Sequence, residues 1–224
     1  MSDLRIVPLI LTLLIIITSS CNFVGGSNGN AIEFDTLRPP KDSLTVYFKA
    51  KSNEQDKTAD GLSDFANRWY SQMLFALKEP VLKDYKGSKE IYRFTWLRTF
   101  NHPISIRLEC QDGNVLLFSK VCDGKGGYQP GKIMFDKYLT LTTGAIDICR
   151  KKVEEAAFWS QPTEIKSEGL DGSEWIIEAV KNGKYHMVVR WSPDEDQSEK
   201  FRAIGKYLIS LSRIENETAG DNYY

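Results

Sequence analysis

Two dipeptides, Asp112-Gly113 and Asn182-Gly183, limit the possible folds of this chain more than any other feature. Each lies between two runs rich in β-branched, aromatic and other apolar residues, and such a pair in a two-residue connection favours the type I′ turn of a β-hairpin. The flanking strands are predicted over 104–110, 115–121, 175–180 and 185–191. Because a two-residue turn fixes the register, each hairpin also predicts which side chains share a face of the sheet.

Apolar periodicity predicts the helices. Apolar residues recur at three- and four-residue spacing over 64–77, over 142–158 and after Ser198, so each of these segments should bury one stripe of a helix. The first stripe, which is expected to lie in the core, consists of Leu62, Phe65, Trp69, Met73 and Leu77. Three further strands are predicted over 44–48, 91–98 and 133–141.

Hairpins dominate the resulting order of elements, β-α-β-β-β-β-α-β-β-α. The sequence therefore predicts an α+β fold in a single domain, with a mostly antiparallel sheet and about three helices packed on one of its faces. The chain has 224 residues, of which 42% are hydrophobic, and this is enough for one sizeable core.

The N-terminus has the pattern of an export signal. Arg5 precedes the mostly apolar run 6–17, and small polar residues then lead into Cys21. Such a run has the length of a signal-peptide core and is short for a membrane-spanning helix, which needs about 20 residues. Small residues directly before a cysteine resemble the bacterial lipobox, although Thr18 stands where that motif usually has Leu. In that family the signal peptide is cut before the cysteine, whose thiol then carries a diacylglycerol.

This resemblance implies a lipoprotein of the cell envelope, anchored by acyl chains such as palmitate and facing the periplasm or the cell surface. An ordinary secretory signal cut nearby and an uncleaved anchor are the alternatives, and all three put the rest of the chain outside the cytoplasm. The predicted layout is a signal peptide over 1–20, a lipid anchor at Cys21 with a flexible tether over 21–33, a domain over 34–214 and a disordered tail over 215–224.

Composition and motif spacing exclude several classes of function. The net charge is −1, so the basic surplus of a nucleic-acid-binding protein is missing. The segment 126–132 has the spacing of a phosphate loop, but Ile133 replaces the Ser or Thr, Pro130 removes an amide, and a strand follows instead of a helix. With His102 and His186 as the two histidines, and no Cys-x-x-Cys, we predict no metal, no nucleotide and no other cofactor.

Three cysteines remain if Cys21 is acylated. The register of the first hairpin puts Cys110 opposite Val115 and sends Cys122 to the far end and the other face, so these two cannot form a disulfide. Cys110 and Cys149 both face the predicted core. A disulfide between them and two buried free thiols are both compatible with the pattern.

The glycine-rich loop 124–132 carries three candidate binding residues, Gly126, Gly127 and Tyr128. The glycines allow the loop to turn and to lie against the sheet. A mobile binding loop is the alternative interpretation.

The second hairpin carries three more candidates, Glu178, His186 and Arg190. Glu178 falls on one face, where burial would raise its pKa unless it is paired, and the other two fall on the opposite face. Arg190 lies opposite Trp175, which suits a cation–π contact. An envelope enzyme that uses Glu178, His186 or Arg190, with Glu178 and His186 as an acid–base pair, is an alternative function, and it requires these side chains and His102 to converge in one pocket. A glutamate in a polar network is the structural alternative. No catalytic residue is predicted, because the register separates the pair and no G-x-S-x-G, H-E-x-x-H or S-x-x-K motif occurs.

Several short motifs lie between Thr95 and Ser212. They are Trp96-Leu97-Arg98, His102-Pro103, Asp123-Gly124, Gly126-Gly127-Tyr128, Pro130-Gly131-Lys132, Phe158-Trp159, Leu170-Asp171-Gly172, Trp175-Ile176-Ile177-Glu178, Gly183-Lys184-Tyr185-His186 and Arg190-Trp191-Ser192-Pro193. In them the chain resembles a group of uncharacterised bacterial proteins, which implies a single domain and no particular mechanism. We expect a non-catalytic envelope lipoprotein whose sheet face or glycine-rich loop binds another macromolecule, with another envelope protein as a possible partner and an immunity or inhibitor protein as one version.

Overall fold

A six-stranded antiparallel sheet forms the centre of the fold. The structure is a computed structural model that describes residues 37–53, 60–165, 169 and 171–214. The strands are β1 (Glu90–Arg98), β2 (Ile104–Gln111), β3 (Asn114–Cys122), β4 (Ile133–Leu141), β5 (Ser173–Lys181) and β6 (Lys184–Trp191). Their order across the sheet is β4-β3-β2-β1-β5-β6, so β1 lies between the two hairpins.

The predicted signal peptide over 1–20, the tether over 21–33 with Cys21, and the tail over 215–224 lie outside the described residues. The described residues belong to one compact unit. Within this part of the chain, no helix is both long enough and apolar enough to cross a membrane.

Both predicted hairpins are confirmed. At Asp112-Gly113 φ is 49° and 78°, and at Asn182-Gly183 it is 52° and 72°, so both positions of each turn have the positive values that a type I′ turn needs. The register of the first hairpin also follows the prediction, because Cys110 lies opposite Val115.

Three helices pack on the sheet, and the predicted α+β fold in a single domain is confirmed. They are α1 (Asp64–Ala76), α2 (Thr143–Glu155) and α3 (Glu195–Leu211), and a short 3₁₀ helix (Phe158–Ser160) follows α2. Ser63 caps α1, because its Oγ accepts a hydrogen bond from the Ala66 N–H at 3.2 Å. The third helix begins at Glu195, before the expected start at Ser198.

The expectation that all helices share one face of the sheet is wrong. α2 and α3 pack on the face that carries Trp96 and Ile177, whereas α1 packs on the opposite face against Ile176 and Met187. The expectation extended the alternation of the first hairpin to the whole sheet, but β1 is buried at every residue except Glu90. A central strand that is buried on both faces requires a covering layer on each side.

The segment predicted as a strand over 44–48 does not join the sheet and packs along α1 instead. The Tyr47 N–H donates to the Ser71 Oγ at 3.0 Å, and the Asn67 Nδ2 donates to the Phe48 carbonyl at 3.1 Å. Both aromatic side chains of the segment are buried. The β-rich composition thus reflects an extended segment whose backbone bonds go to helix side chains rather than to a neighbouring strand.

Cys110, Cys122 and Cys149 are free, so free thiols are the correct one of the two alternatives for Cys110 and Cys149. Burial raises the pKa of the Cys122 thiol to about 11 and that of the Cys149 thiol to about 12. Buried thiols with raised pKa values are poor nucleophiles.

The close approach of α3 to the sheet requires a glycine at position 205. A Cβ on Gly205 would lie 2.8 Å from Cζ3 of Trp175 and 3.1 Å from Cε2 of Phe94. We therefore expect Gly205→Ala to lower the free energy of unfolding by about 1 kcal/mol, because a steric cost of about 2 kcal/mol exceeds the gain in helix propensity of about 1 kcal/mol. Equilibrium unfolding in urea measures this difference.

Gly144, in the first turn of α2, is the matched control. A Cβ there would meet one atom within 4 Å, the Thr142 Oγ1 at 3.7 Å. Gly144→Ala should therefore leave the stability unchanged or raise it. An equal response of the two variants would contradict the packing argument.

Candidate functional site

His186 and Arg190 fasten a loop to the free edge of β6. The Val189 N–H donates to the Thr163 carbonyl at 2.7 Å, so the loop runs along the edge of the strand. The His186 Nε2 donates to the Gln161 carbonyl at 3.0 Å, and the Arg190 Nη2 donates to the Gln161 Oε1 at 2.7 Å. Burial lowers the pKa of His186, and the hydrogen bond to the Gln161 carbonyl opposes that shift. Both side chains thus cover an edge that would otherwise expose unpaired backbone groups.

The expected cation–π contact between Arg190 and Trp175 is wrong, although the two residues do lie opposite each other in the sheet. The Arg190 guanidinium lies 5.7 Å from the ring centre of Phe201, and the Arg202 guanidinium lies 5.6 Å from that of Trp175. Phe201 and Arg202 are both on α3. The strand register alone does not show that α3 places Phe201 beside Arg190 and Arg202 beside Trp175.

Glu178 is fully buried on the face that packs against α1. The Arg93 Nε donates to its Oε2 at 2.6 Å, the Arg93 Nη2 lies 2.5 Å from the same oxygen as an ion pair, and the Tyr185 hydroxyl donates to its Oε1 at 3.0 Å. Burial raises the pKa of the Glu178 carboxyl, and the Arg93 charge and these hydrogen bonds oppose that rise. The residue therefore belongs to a polar network, as the structural alternative expected.

Glu79 is the centre of that network, and no sequence pattern marks it. Its Oε2 accepts a hydrogen bond from the Arg107 Nε at 2.7 Å and lies 3.5 Å from the Arg93 Nη1, while its Oε1 lies 3.2 Å from the Lys120 Nζ. Burial alone would raise the pKa of this carboxyl, but the three cations lower it to about 2. Glu79 therefore remains ionised inside the protein at neutral pH.

The residues of the enzyme alternative do not form one site. Glu178 faces α1, whereas Ala179 is the residue opposite His186, so His186 and Arg190 lie on the other face of the sheet. His102 lies in the connection between β1 and β2, where its Nδ1 donates to the Gly124 carbonyl at 2.9 Å. Each of these side chains binds a neighbouring part of the fold.

The glycine-rich loop between β3 and β4 is fastened on one side to the connection between β1 and β2 and on the other side to α1. The Gly126 N–H donates to the Asn101 carbonyl at 2.9 Å, and the Gly127 N–H donates to the Thr99 carbonyl at 3.3 Å. From α1, the Trp69 Nε1 donates to the Gly126 carbonyl at 3.0 Å. A Cβ on Gly126 would lie 2.7 Å from the backbone of Arg98, so the close approach requires glycine. The interpretation of a loop that lies against the sheet is confirmed, and these contacts give no support to a mobile loop.

Tyr128, at the tip of this loop, belongs to an exposed aromatic surface with Phe65, Trp69 and Phe100. The rings of Phe65 and Trp69 lie 6.2 Å apart, as do those of Phe100 and Tyr128. Phe65 is 75% exposed, Tyr128 58% and Phe100 50%, and Trp69 is half-buried. Trp69 of the first pair contacts the loop at Gly126, and Tyr128 of the second pair is itself a loop residue. Two residue steps separate Gly126 from Tyr128, so their Cα atoms are at most about 7 Å apart. We call these four residues the aromatic surface.

Sequence reasoning selected Tyr128 but assigned Phe65 and Trp69 to the core and did not select Phe100. The buried face of α1 is formed instead by other residues, among them Tyr70, Met73 and Leu74. The available signal was that α1 has more apolar residues than one stripe holds. A helix with two apolar stripes buries one of them on the sheet and leaves the other for another contact.

Among residues 37–53, 60–165 and 171–214, no group of His, Cys, Asp and Glu side chains is arranged to hold a metal ion. A comparison of the chain with protein-family models finds no match, and no curated protein is significantly similar to it. The binding roles predicted for the glycine-rich loop and for the second hairpin stay predictions.

Substitution of the central carboxylate tests the network. Glu79→Gln keeps the shape of the side chain but leaves three buried cations without their common counter-charge. We expect the free energy of unfolding to fall by about 3 kcal/mol, as is typical when one partner of a buried ion pair is removed. Urea unfolding at neutral pH measures the loss.

Glu154→Gln, in the exposed part of α2, is the control, because it removes the same charge from the surface. It should change the stability by less than about 0.5 kcal/mol. A similarly small effect of Glu79→Gln would show that the network does not hold the fold together.

Proposed function

We propose that the protein is a lipoprotein of the bacterial cell envelope that acts as a non-catalytic binding module, and that it binds its partner through the aromatic surface. The observation that carries the proposal is the exposure of Phe65, Phe100 and Tyr128 around one loop. Exposed apolar patches on soluble domains commonly mark contact sites, and aromatic residues are enriched at the centres of such sites. An immunity or inhibitor protein is one form of such a module.

The rigid attachment of the loop supports a binding role. Hydrogen bonds from Trp69, Gly126 and Gly127 hold the backbone that presents Tyr128. Little conformational entropy is then lost when a partner binds, so more of the contact energy appears as affinity.

The sequence supports the location. The signal-like run over 6–17 and the small residues before Cys21 are the basis for an acylated cysteine.

Metabolic labelling with a palmitate analogue tests the anchor. The full-length chain, expressed in a bacterium, should incorporate the label, and Cys21→Ala should lose it because the acylated thiol is gone. Cys110→Ala is the control, since it removes another free thiol and should keep the label. Label that persists in Cys21→Ala would contradict the lipoprotein proposal.

Retention of envelope material by the immobilised protein tests the surface. Tyr128→Ala should retain about tenfold less than the unsubstituted protein, because truncation of one aromatic contact residue commonly costs more than about 1 kcal/mol. Tyr138→Ala is a close control: Tyr138 is 68% exposed on β4 and lies 6.2 Å from the ring of Phe118. Equal retention by the two variants would remove the aromatic surface from the proposal.

A further inference from the structure

We propose that the ligand of the aromatic surface is a glycan, a chain of sugar residues of the cell envelope. This inference rests on the proposed function, and it names the class of molecule that the binding module recognises.

The exposed apolar groups of this surface are aromatic rings. Phe65, Phe100 and Tyr128 supply three exposed rings and Trp69 supplies a half-buried one, in two pairs with ring centres 6.2 Å apart. An aromatic ring carries partial negative charge on its face, and the faces of a sugar ring present C–H bonds with partial positive charge. Exposed rings can therefore stack on sugars without the deep aliphatic pockets that anchor a protein side chain.

Exposed aliphatic side chains beside α1 lie elsewhere. Leu44 and Val46 precede Tyr47 and Phe48, the segment that hydrogen-bonds to Asn67 and Ser71. Because a helix turns by about 100° per residue, Asn67 and Ser71 lie on roughly the opposite side of α1 from Phe65 and Trp69. The aromatic surface therefore does not continue into this aliphatic patch.

Amide side chains border the rings. The Gln72 Nε2 and the Gln129 Oε1 are 3.4 Å apart, and both residues are exposed. This bond is long, and each amide keeps further donors and acceptors. Together with the Tyr128 hydroxyl, they provide the neutral hydrogen-bonding groups that sugar hydroxyls need.

The backbone between the two ring pairs has no side chains. A Cβ on Gly126 would lie 2.7 Å from the backbone of Arg98, and one on Gly127 would lie 2.9 Å from the Cα of Thr99. Gly126 and Gly127 therefore place no side chain between the carbonyl that Trp69 contacts and Tyr128. The backbone from Gly126 to Tyr128 spans at most about 7 Å, which is comparable with the spacing of neighbouring sugar rings. In the proposal, an extended chain lies along this backbone and stacks on rings of both pairs.

The charge of the surface argues against a polyanion. Asp64 lies 3.8 Å from the exposed Arg68, and the Asp123 Oδ1 accepts the Lys132 N–H at 2.6 Å. Lys125 and Lys132 are exposed, so charges of both signs are present and neither dominates. Strong attraction to nucleic acid or to anionic lipid requires a cluster of cations.

The test compares two preparations of the cell envelope on the detergent-solubilised, immobilised full chain. One preparation is untreated, and the other is exhaustively digested with protease and freed of lipid, so that carbohydrate is the remaining polymer. We expect the unsubstituted protein and Tyr138→Ala to retain carbohydrate from the digested preparation, measured as monosaccharides after acid hydrolysis. Tyr128→Ala and Phe65→Ala should each retain about tenfold less, the factor expected for the loss of one stacking contact.

Tyr128→Phe keeps the ring and should retain at least a third as much carbohydrate as the unsubstituted protein. This result would show that retention depends on the aromatic ring. Urea unfolding of each variant confirms that the exposed substitutions leave the protein folded. Failure of the unsubstituted protein to retain carbohydrate, or equal retention by Tyr128→Ala, overturns the glycan.

The two preparations separate this failure from that of the proposed function. If retention depends on Tyr128 in the untreated preparation but vanishes after protease treatment, the partner is a protein. That result supports the proposed binding module and contradicts the proposed glycan ligand. Retention that never depends on Tyr128 overturns both.

Discussion

The buried carboxylate of Glu79 connects α1 to the sheet, and the arrangement of the α1 side of the protein depends on it. Arg93 and Arg107 are direct cross-strand neighbours in β1 and β2, a pairing of like charges that would destabilise the sheet by itself. Glu79 lies between them and also binds Lys120 of β3. One carboxylate from outside the sheet thus compensates cations on three adjacent strands.

The backbone around Glu79 is fixed by the same groups. The Lys120 Nζ donates to the Lys78 carbonyl and the Arg93 Nη1 donates to the Pro80 carbonyl, both at 2.6 Å. The Tyr47 hydroxyl donates to the Glu79 carbonyl at 2.9 Å. These bonds set where the chain leaves α1, and therefore where α1 lies on the sheet. Because α1 carries half of the aromatic surface, the buried charges also position the exposed rings.

The predictable part of the structure is the local part. The turns at Asp112-Gly113 and Asn182-Gly183 require only neighbouring residues, and their positive φ values follow from residue type. The position of Glu79 depends on contacts with strands that come later in the chain, and no local pattern marks it. Phe65 was misplaced for a related reason, because periodicity identifies an apolar stripe but does not say which of two stripes meets the sheet.

Two groups of side chains in this domain depart from the usual distribution between interior and surface. Seven charged residues are buried on the α1 face, namely Glu79, Lys89, Arg93, Arg107, Glu109, Lys120 and Glu178, while three aromatic residues around one loop are at least half exposed. Buried charges are costly unless they are paired, and exposed rings forgo the stabilisation that burial would give. The network accounts for the first departure, because its charges compensate one another within the fold. The second has no compensation inside the described part of the domain, and a ligand that covers the rings would supply it.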